Sequence, residues 1–286
     1  MKFQVNVKNF IKAIEPVVYL ANHISNEKFT DNCLIALQSS PNEIIASAYI
    51  GSAAIKASIL EKDYYNLQYF CYEEGTTTVN ATDFMNSLAS FAPTDSVIIS
   101  TSDGGLIIAD ETNEDDYQAL CINDDLSFPE IATKFSKSMS IDRKILIDGL
   151  KSVAFAMGAV TKEHYRTLFI EASKNNVRFA AGTGARFAVK DYHGKGIVEG
   201  KAGIVLPRYD IFNLISILSK SSANKIQIKE SEPDKDFFIL DQVLVEFNET
   251  SIILFQVDSS VIYPNVSSVI DDDYKNRASA KLSGWK

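Results

Sequence analysis

At 286 residues the chain exceeds one typical domain and comfortably holds two. With 46% hydrophobic and 23% charged residues it is not a disordered chain, and no apolar run approaches the roughly 20 residues that a membrane-spanning helix needs. A net charge of -9 argues against a protein that coats nucleic acid over its whole surface, while leaving room for a local basic face.

The opening segment MKFQVNVKNF lacks the apolar core of a signal peptide, so an intracellular protein is expected. A short strand carrying Phe3 and Val5 runs into a helix whose apolar stripe is Val7, Phe10, Ile11, Ile14, Val17 and Val18, leaving Lys8, Asn9 and Lys12 outward. Strands follow, including the aromatic-rich DYYNLQYFCYEEG; such density in a strand usually means packing rather than base stacking. Then TTTVNATDFMNSLASF predicts a strand entering a second helix with Asn and Ser outward. SVIIST, GLIIAD and YQALCI complete the first half, bounded by the acidic run ADETNEDDYQALCINDD, which reads as a solvated strand edge. The half ends at an aromatic-proline turn, SFPEI.

The second half repeats this order. Shifting by 136 residues sets Phe3, Val5, Phe10, Ile11, Ile14 and Val17 on Met139, Ile141, Leu146, Ile147, Leu150 and Val153. The new helix keeps Lys144 and Lys151 exposed. At a slightly smaller shift Val79, Met85, Leu88 and Phe91 match Val205, Ile211, Leu214 and Ile217, in a helix that starts with Arg208 and ends near Lys220. KIQIKE, FFILD, VLVEF and SIILFQV supply further strands, FNETSI a hairpin turn, and IYPNV echoes SFPEI. A third step begins at ASAKLSGWK, either a tail or, as read here, the opening strand of a third unit. Few helices, many strands and little β-helix-β alternation predict α+β domains with antiparallel sheets.

Catalytic chemistry is hard to assemble from these residues. His23, His164 and His193 lie at a helix end and in loops without metal-ligand spacing, and Cys33, Cys71 and Cys121 suit free thiols. GTGAR at 182–186 is neither a phosphate loop nor a dinucleotide fingerprint, and reads as a tight turn between strands. Helices that tilt basic in an acidic chain imply sorted charge, and a basic face suggests a polyanion.

These segments together resemble the sliding clamp, the beta subunit of bacterial DNA polymerase III. The likeness rests on MKFQVNVKNFIKAI, TTTVNATDFMNSL, SFPEI, FAMGAVTKEHYRTLFIEA, FAAGTGARFAV, GIVLPRYDIFNLI and FQVDSSVIYPNV, in order, over nearly the whole chain. It implies repeated DNA-clamp domains, each with two helices packed on antiparallel sheets, arranged as part of a ring: clamp domains at 1–134 and 135–273, then 274–286 as linker and first strand of a third. Helices would line a hole threaded by double-stranded DNA, held without regard to base sequence. The protein would be a non-enzymatic processivity factor of the bacterial cytoplasm, at the nucleoid, with no cofactor of its own. Its partners would be DNA polymerase and clamp-loader subunits, bound through short peptide motifs, and further copies in a ring, a head-to-tail dimer for three-domain chains.

Residue by residue, the resemblance implies DNA contacts at Lys12, at Arg208, and at Lys162 in a loop where the family has an arginine. Asn26 replaces another such arginine with Lys28 close by, and the outward helix bases Lys8 and Lys151 join them. The implied peptide groove takes Tyr165, Gly182, Gly184, Arg186, Phe187, Pro264 and Val269, with GTGAR standing where the family has Thr-Asp-Gly-His-Arg. Two alternatives stay open at this stage: a phage-type clamp of two domains closing a ring from three chains, and a two-domain hydrolase whose acidic loops hold a metal.

Overall fold

In a computed structural model, the described residues are 1–22, 33–50, 53–60, 69–102, 104–112, 117–121, 134–158, 167–183, 186–200, 202–232, 241–248 and 251–257. Both aromatic-proline turns, most of FFILD, His23, His164 and the segment 274–286 lie outside them.

The first half runs β1 (Lys2–Asn6), α1 (Val7–Asn22), β2 (Leu34–Ser39), β3 (Glu43–Tyr49), β4 (Ala53–Leu60), β5 (Phe70–Glu73), β6 (Gly75–Asn80), α2 (Ala81–Ala89), β7 (Ser96–Ser102), β8 (Gly105–Asp110) and β9 (Tyr117–Cys121). The second runs β10 (Phe135–Asp142), α3 (Arg143–Ala154), β11 (Thr167–Ser173), β12 (Asn176–Gly182), β13 (Phe187–His193), β14 (Val198–Gly200), β15 (Ala202–Pro207), α4 (Arg208–Lys220), β16 (Lys225–Ser231), β17 (Asp241–Phe247) and β18 (Ser251–Val257).

Helix starts follow from local chemistry. Each strand-to-helix junction leaves orphan backbone N–H groups, and a short polar side chain meets them. The Asn6 Oδ1 accepts from the Asn9 N–H at 3.2 Å; Asn80 accepts from Thr82 and Asp83 at 3.0 and 3.1 Å; Asp142 accepts from Lys144 and Ile145 at 2.8 and 3.2 Å. Asn6 and Asp142 stand at equivalent positions, so the repeat reaches down to its caps. Among the described helices only α4 lacks a side-chain cap, with Pro207 at that place.

Strand order shows the duplication directly. The sheet β5-β1-β7-β8-β9 has the same plan as β14-β10-β16-β17-β18, and β4-β3-β2-β6 the same plan as β13-β12-β11-β15. Among the described strands all pairings are antiparallel, and β18 pairs β4, fusing one sheet from each half into nine described strands. Helices cover the inner faces. Phe3, Phe10 and Phe84, all fully buried, meet edge to face at 6.0 and 6.3 Å, and Met139, Leu146 and Phe179 anchor the second half.

Three sequence readings need correction. Following the ladders from α2 and α4 back, Val79 opposite Ile35 corresponds to Leu206 opposite Leu168, both buried, whereas Val205 lies on the other face and is half-buried. The second repeat match is therefore displaced by one residue, because an apolar helix pattern tolerates either alignment while a strand does not. Among the described residues of the aromatic run Tyr69 packs inside, whereas Phe70 and Tyr72 are about half exposed, their rings 4.7 Å apart. His193 closes strand β13 instead of lying in a loop, its Nδ1 2.9 Å from the Asn176 Oδ1.

Candidate functional site

The four helices lie side by side, in the order α2, α1, α4, α3 by their mutual contacts. Arg143, in the first turn of α3, donates from its guanidinium to the Leu218 and Ala223 carbonyls at 3.0 and 2.7 Å, so α3 and α4 run antiparallel. Between the halves, Lys220 of α4 reaches Glu15 of α1 at 2.6 Å and lies 5.6 Å from the Tyr19 ring centre.

Burying Val7, Phe10, Ile14 and Val17 turns Lys8 and Lys12 of α1 to solvent; burying Leu146, Gly149, Leu150 and Val153 does the same for Lys144, Asp148, Lys151 and Phe155 of α3. On α4 the solvent stripe starts at Arg208 and includes Phe212. The four helices carry seven Lys and Arg against four Asp and Glu, the reverse of the chain's balance of -9.

More telling is how the cations are used. On the strands four of the seven described cations are neutralised, Lys137 by Glu230, Arg178 by Asp191 at 2.7 Å, Lys225 by Glu199 and Lys229 by Glu246 at 2.8 Å, while Lys2 and Lys190 lie over the Tyr72 and Tyr192 rings and Lys56 forms no ion pair among the described residues. On the helices Lys8, Lys12, Lys144, Lys151 and Arg208 form no ion pair among the described residues. Lys8 and Lys12, one turn apart, even repel by about 0.2–0.5 kcal/mol. The one acid within the α3 stripe is engaged, since Asp148 accepts the Tyr192 hydroxyl; burial and then that carboxylate push the tyrosine well above its usual range. Such unpaired cations on adjacent helices can meet an extended polyanion through its phosphates.

The sequence-predicted groove is partly assembled. Gly182 pairs Phe187, and the Thr183 N–H donates to the Arg186 carbonyl at 2.7 Å, closing the tight turn that GTGAR predicts. A side chain at Gly182 would place a Cβ 2.4 Å from the Phe187 ring, so glycine lets that ring lie flat on the turn. Arg186 donates to the Ala156 and Met157 carbonyls at 3.4 and 3.2 Å, tying the turn to the end of α3 beside exposed Phe155. Tyr165, Gly184, Pro264 and Val269 lie outside the described residues, as do Asn26, Lys28 and Lys162 of the predicted DNA contacts. Among the described residues no cluster of His, Cys, Asp and Glu could hold a metal, and no helix is long and apolar enough to cross a membrane.

No family model and no curated protein matches the sequence. Solved structures do match. The DNA polymerase III beta chain of Streptococcus pneumoniae superposes with a TM-score of 0.76 at 15% identity, over 96% of this chain and 68% of its own. A DNA polymerase sliding clamp from Caulobacter crescentus gives 0.75 at 17%, over 96% and 69%. The DNA polymerase III beta subunit of Thermotoga maritima gives 0.72 at 15%, over 94% and 68%. The chain has the sliding-clamp fold. Within this clamp fold, the α1–α4 layer with its unpaired bases and the β12–β13 turn with Arg186 are separate features of one molecule. Sequence reasoning found Lys8, Lys12, Lys151 and Arg208 from helical periodicity. It missed that Arg143, also a helix base, is spent on the end of α4, because the acceptor carbonyls lie some eighty residues away.

Proposed function

We propose that this protein is a DNA sliding clamp, a non-enzymatic processivity factor that encircles duplex DNA and tethers a replicative polymerase. The observation that carries the reading is the run of solvent-facing Lys8, Lys12, Lys144, Lys151 and Arg208 on the helix layer, without an ion pair among the described residues, in a clamp fold of net acidic charge where most strand cations are paired. Phosphate contacts from Lys8, Lys12, Lys151 and Arg208, joined by Lys28 and Lys162 and by Asn26, would hold DNA in the hole without reading bases. The repeats act as domains spanning 1–134 and 135–273, with 274–286 opening a third. Gly182, Arg186 and Phe187, with Tyr165, Gly184, Pro264 and Val269, form a groove for short peptides of polymerase and clamp-loader subunits. The setting is the bacterial cytoplasm at the nucleoid. Solved structures of the same fold named as DNA polymerase III beta subunits and sliding clamps support this reading.

Grip by enclosure has a topological signature. Protein loaded on a closed circular duplex should remain through gel filtration and leave once the circle is cut at one site. Equal retention on both forms would reject the mechanism.

A further inference from the structure

The solvent stripe of α3 holds an acid where its repeat holds a base. At the shift that sets α1 on α3, Asp148 takes the place of Lys12, four residues after Lys144 and three before Lys151. Side chains at those spacings share one helix face, and an acid that precedes its lysine stands in the better order for an ion pair. Left to its helix, Asp148 would pair with a neighbouring lysine and cancel that lysine's charge toward a polyanion. It does not: Asp148, Lys144 and Lys151 form no ion pair among the described residues.

Strand β13 holds the acid instead. The Tyr192 hydroxyl donates to the Asp148 Oδ2, and the Ser152 side chain is hydrogen-bonded to the same phenol. The tyrosine ring is itself fixed, since Phe179 meets it edge-on at 5.9 Å and Lys190 lies 5.2 Å from its centre. Burial and then the carboxylate keep the phenol protonated, so it remains a donor throughout the neutral range.

The first half shows what the fold alone requires at this place. Val177 opposite Tyr192 corresponds to Ile44 opposite Ile59, so the strand equivalent of Tyr192 is a buried isoleucine without a polar group to offer. Where the helix position is a base the strand position is apolar; where it is an acid the strand supplies a hydroxyl. Packing explains the bulk of Tyr192 but not its oxygen.

We infer that Tyr192 is a positioning residue for polyanion binding: it draws Asp148 toward β13 and so leaves Lys144 and Lys151 free to meet phosphates. The inference rests on the DNA-binding reading above and adds to it a strand residue, outside the helix layer, that sets the charge the layer presents.

Tyr192→Phe tests it, because the ring stays against Phe179 and only the donor is lost. In protein without DNA, acetylation of Lys144 and Lys151 by acetic anhydride, read against Lys8 by mass spectrometry, should slow about twofold, since a nearby carboxylate holds an ammonium protonated. On a short linear duplex the variant should bind about threefold more weakly at low salt and lose roughly one from the slope of log affinity against log salt. Asp148→Asn should then raise affinity at least about twofold more in the Tyr192→Phe background than in the wild type, a coupling that loosened packing would not produce. Unchanged labelling of both lysines overturns the inference, as do equal, measurable gains from Asp148→Asn in the two backgrounds. Slowed labelling in a protein that shows no salt-dependent duplex binding at all would instead leave the hold of Tyr192 on Asp148 standing and remove the clamp reading.

Discussion

Thr77 shows what a single oxygen can cost. It sits on β6 opposite Leu37 with 4% of its surface exposed, and its hydroxyl has no hydrogen-bond partner among the described residues. Valine has nearly the same shape without the polar atom, so Thr77→Val removes a desolvation penalty and adds no strain. The substitution should stabilise the fold by about 1 kcal/mol in urea denaturation, a rise of a few degrees in Tm for a chain this long. A loss of stability would mean that the hydroxyl finds a partner in solution. Nothing in TTTVN marks the second threonine as the costly one. Alternation predicts which face it occupies but not whether an acceptor is within reach. Arg143 teaches the converse. Its role is visible only once the Leu218 carbonyl is placed beside it.

At the scale of elements, the helices settle on the sheets at distances set by small residues. Gly149 of α3 lies against Phe179 of β12, and a Cβ there would fall 2.3 Å from the phenyl ring. Phe179 is fully buried and meets the Tyr192 ring edge-on at 5.9 Å, so it has no free direction in which to yield. In the first half the equivalent pair is Ala13 with Ala46, so the two halves trade volume between helix and strand at one point of contact. Gly149→Ala should gain up to about 1 kcal/mol of helix propensity yet lose about 1–3 kcal/mol to overpacking, a net destabilisation. Adding Phe179→Leu should recover part of that loss, and a double-mutant cycle on chemical denaturation would read the coupling. Element positions were legible because their causes are local: Asn6, Asn80 and Asp142 announce helix starts, and Val7 to Val17 and Leu146 to Val153 mark the buried stripes. The alignment of Val79 with Leu206 was not legible, since helices α2 and α4 present apolar residues under either of two neighbouring alignments and only the β2–β6 and β11–β15 ladders choose. Nor was the joining of β18 to β4, because each strand simply reads as apolar and the choice of edge partner depends on the stacking of whole sheets.

For the whole molecule, the governing quantity is where the charge is free rather than how much there is. A chain of net charge -9 is repelled by DNA at long range, and screening confines that repulsion to roughly 8–10 Å at physiological salt. Inside that distance the unpaired Lys8, Lys12, Lys144, Lys151 and Arg208 of the helix layer dominate, while Lys137, Lys225 and Lys229 of the strands are already committed to Glu230, Glu199 and Glu246. Each phosphate neutralised releases counterions, so the logarithm of the duplex affinity should fall linearly with the logarithm of salt concentration, by nearly one per contact. Reversing Lys8, Lys12 and Lys151 to Glu should therefore weaken binding to a short linear duplex and flatten that slope by roughly three. Reversing the paired Lys137, Lys225 and Lys229 should leave the slope nearly unchanged, although the net charge changes by the same amount. The proposed enclosure would add a second distinction: on a closed circle the helix variant should still be retained at low salt, because a linked ring would need no tight contact, whereas on the short duplex it should dissociate. Titrations of both variants by fluorescence anisotropy from low to moderate salt would check the contrast. Equal slopes for the two variants would mean that total charge, not its placement on the helices, governs DNA binding.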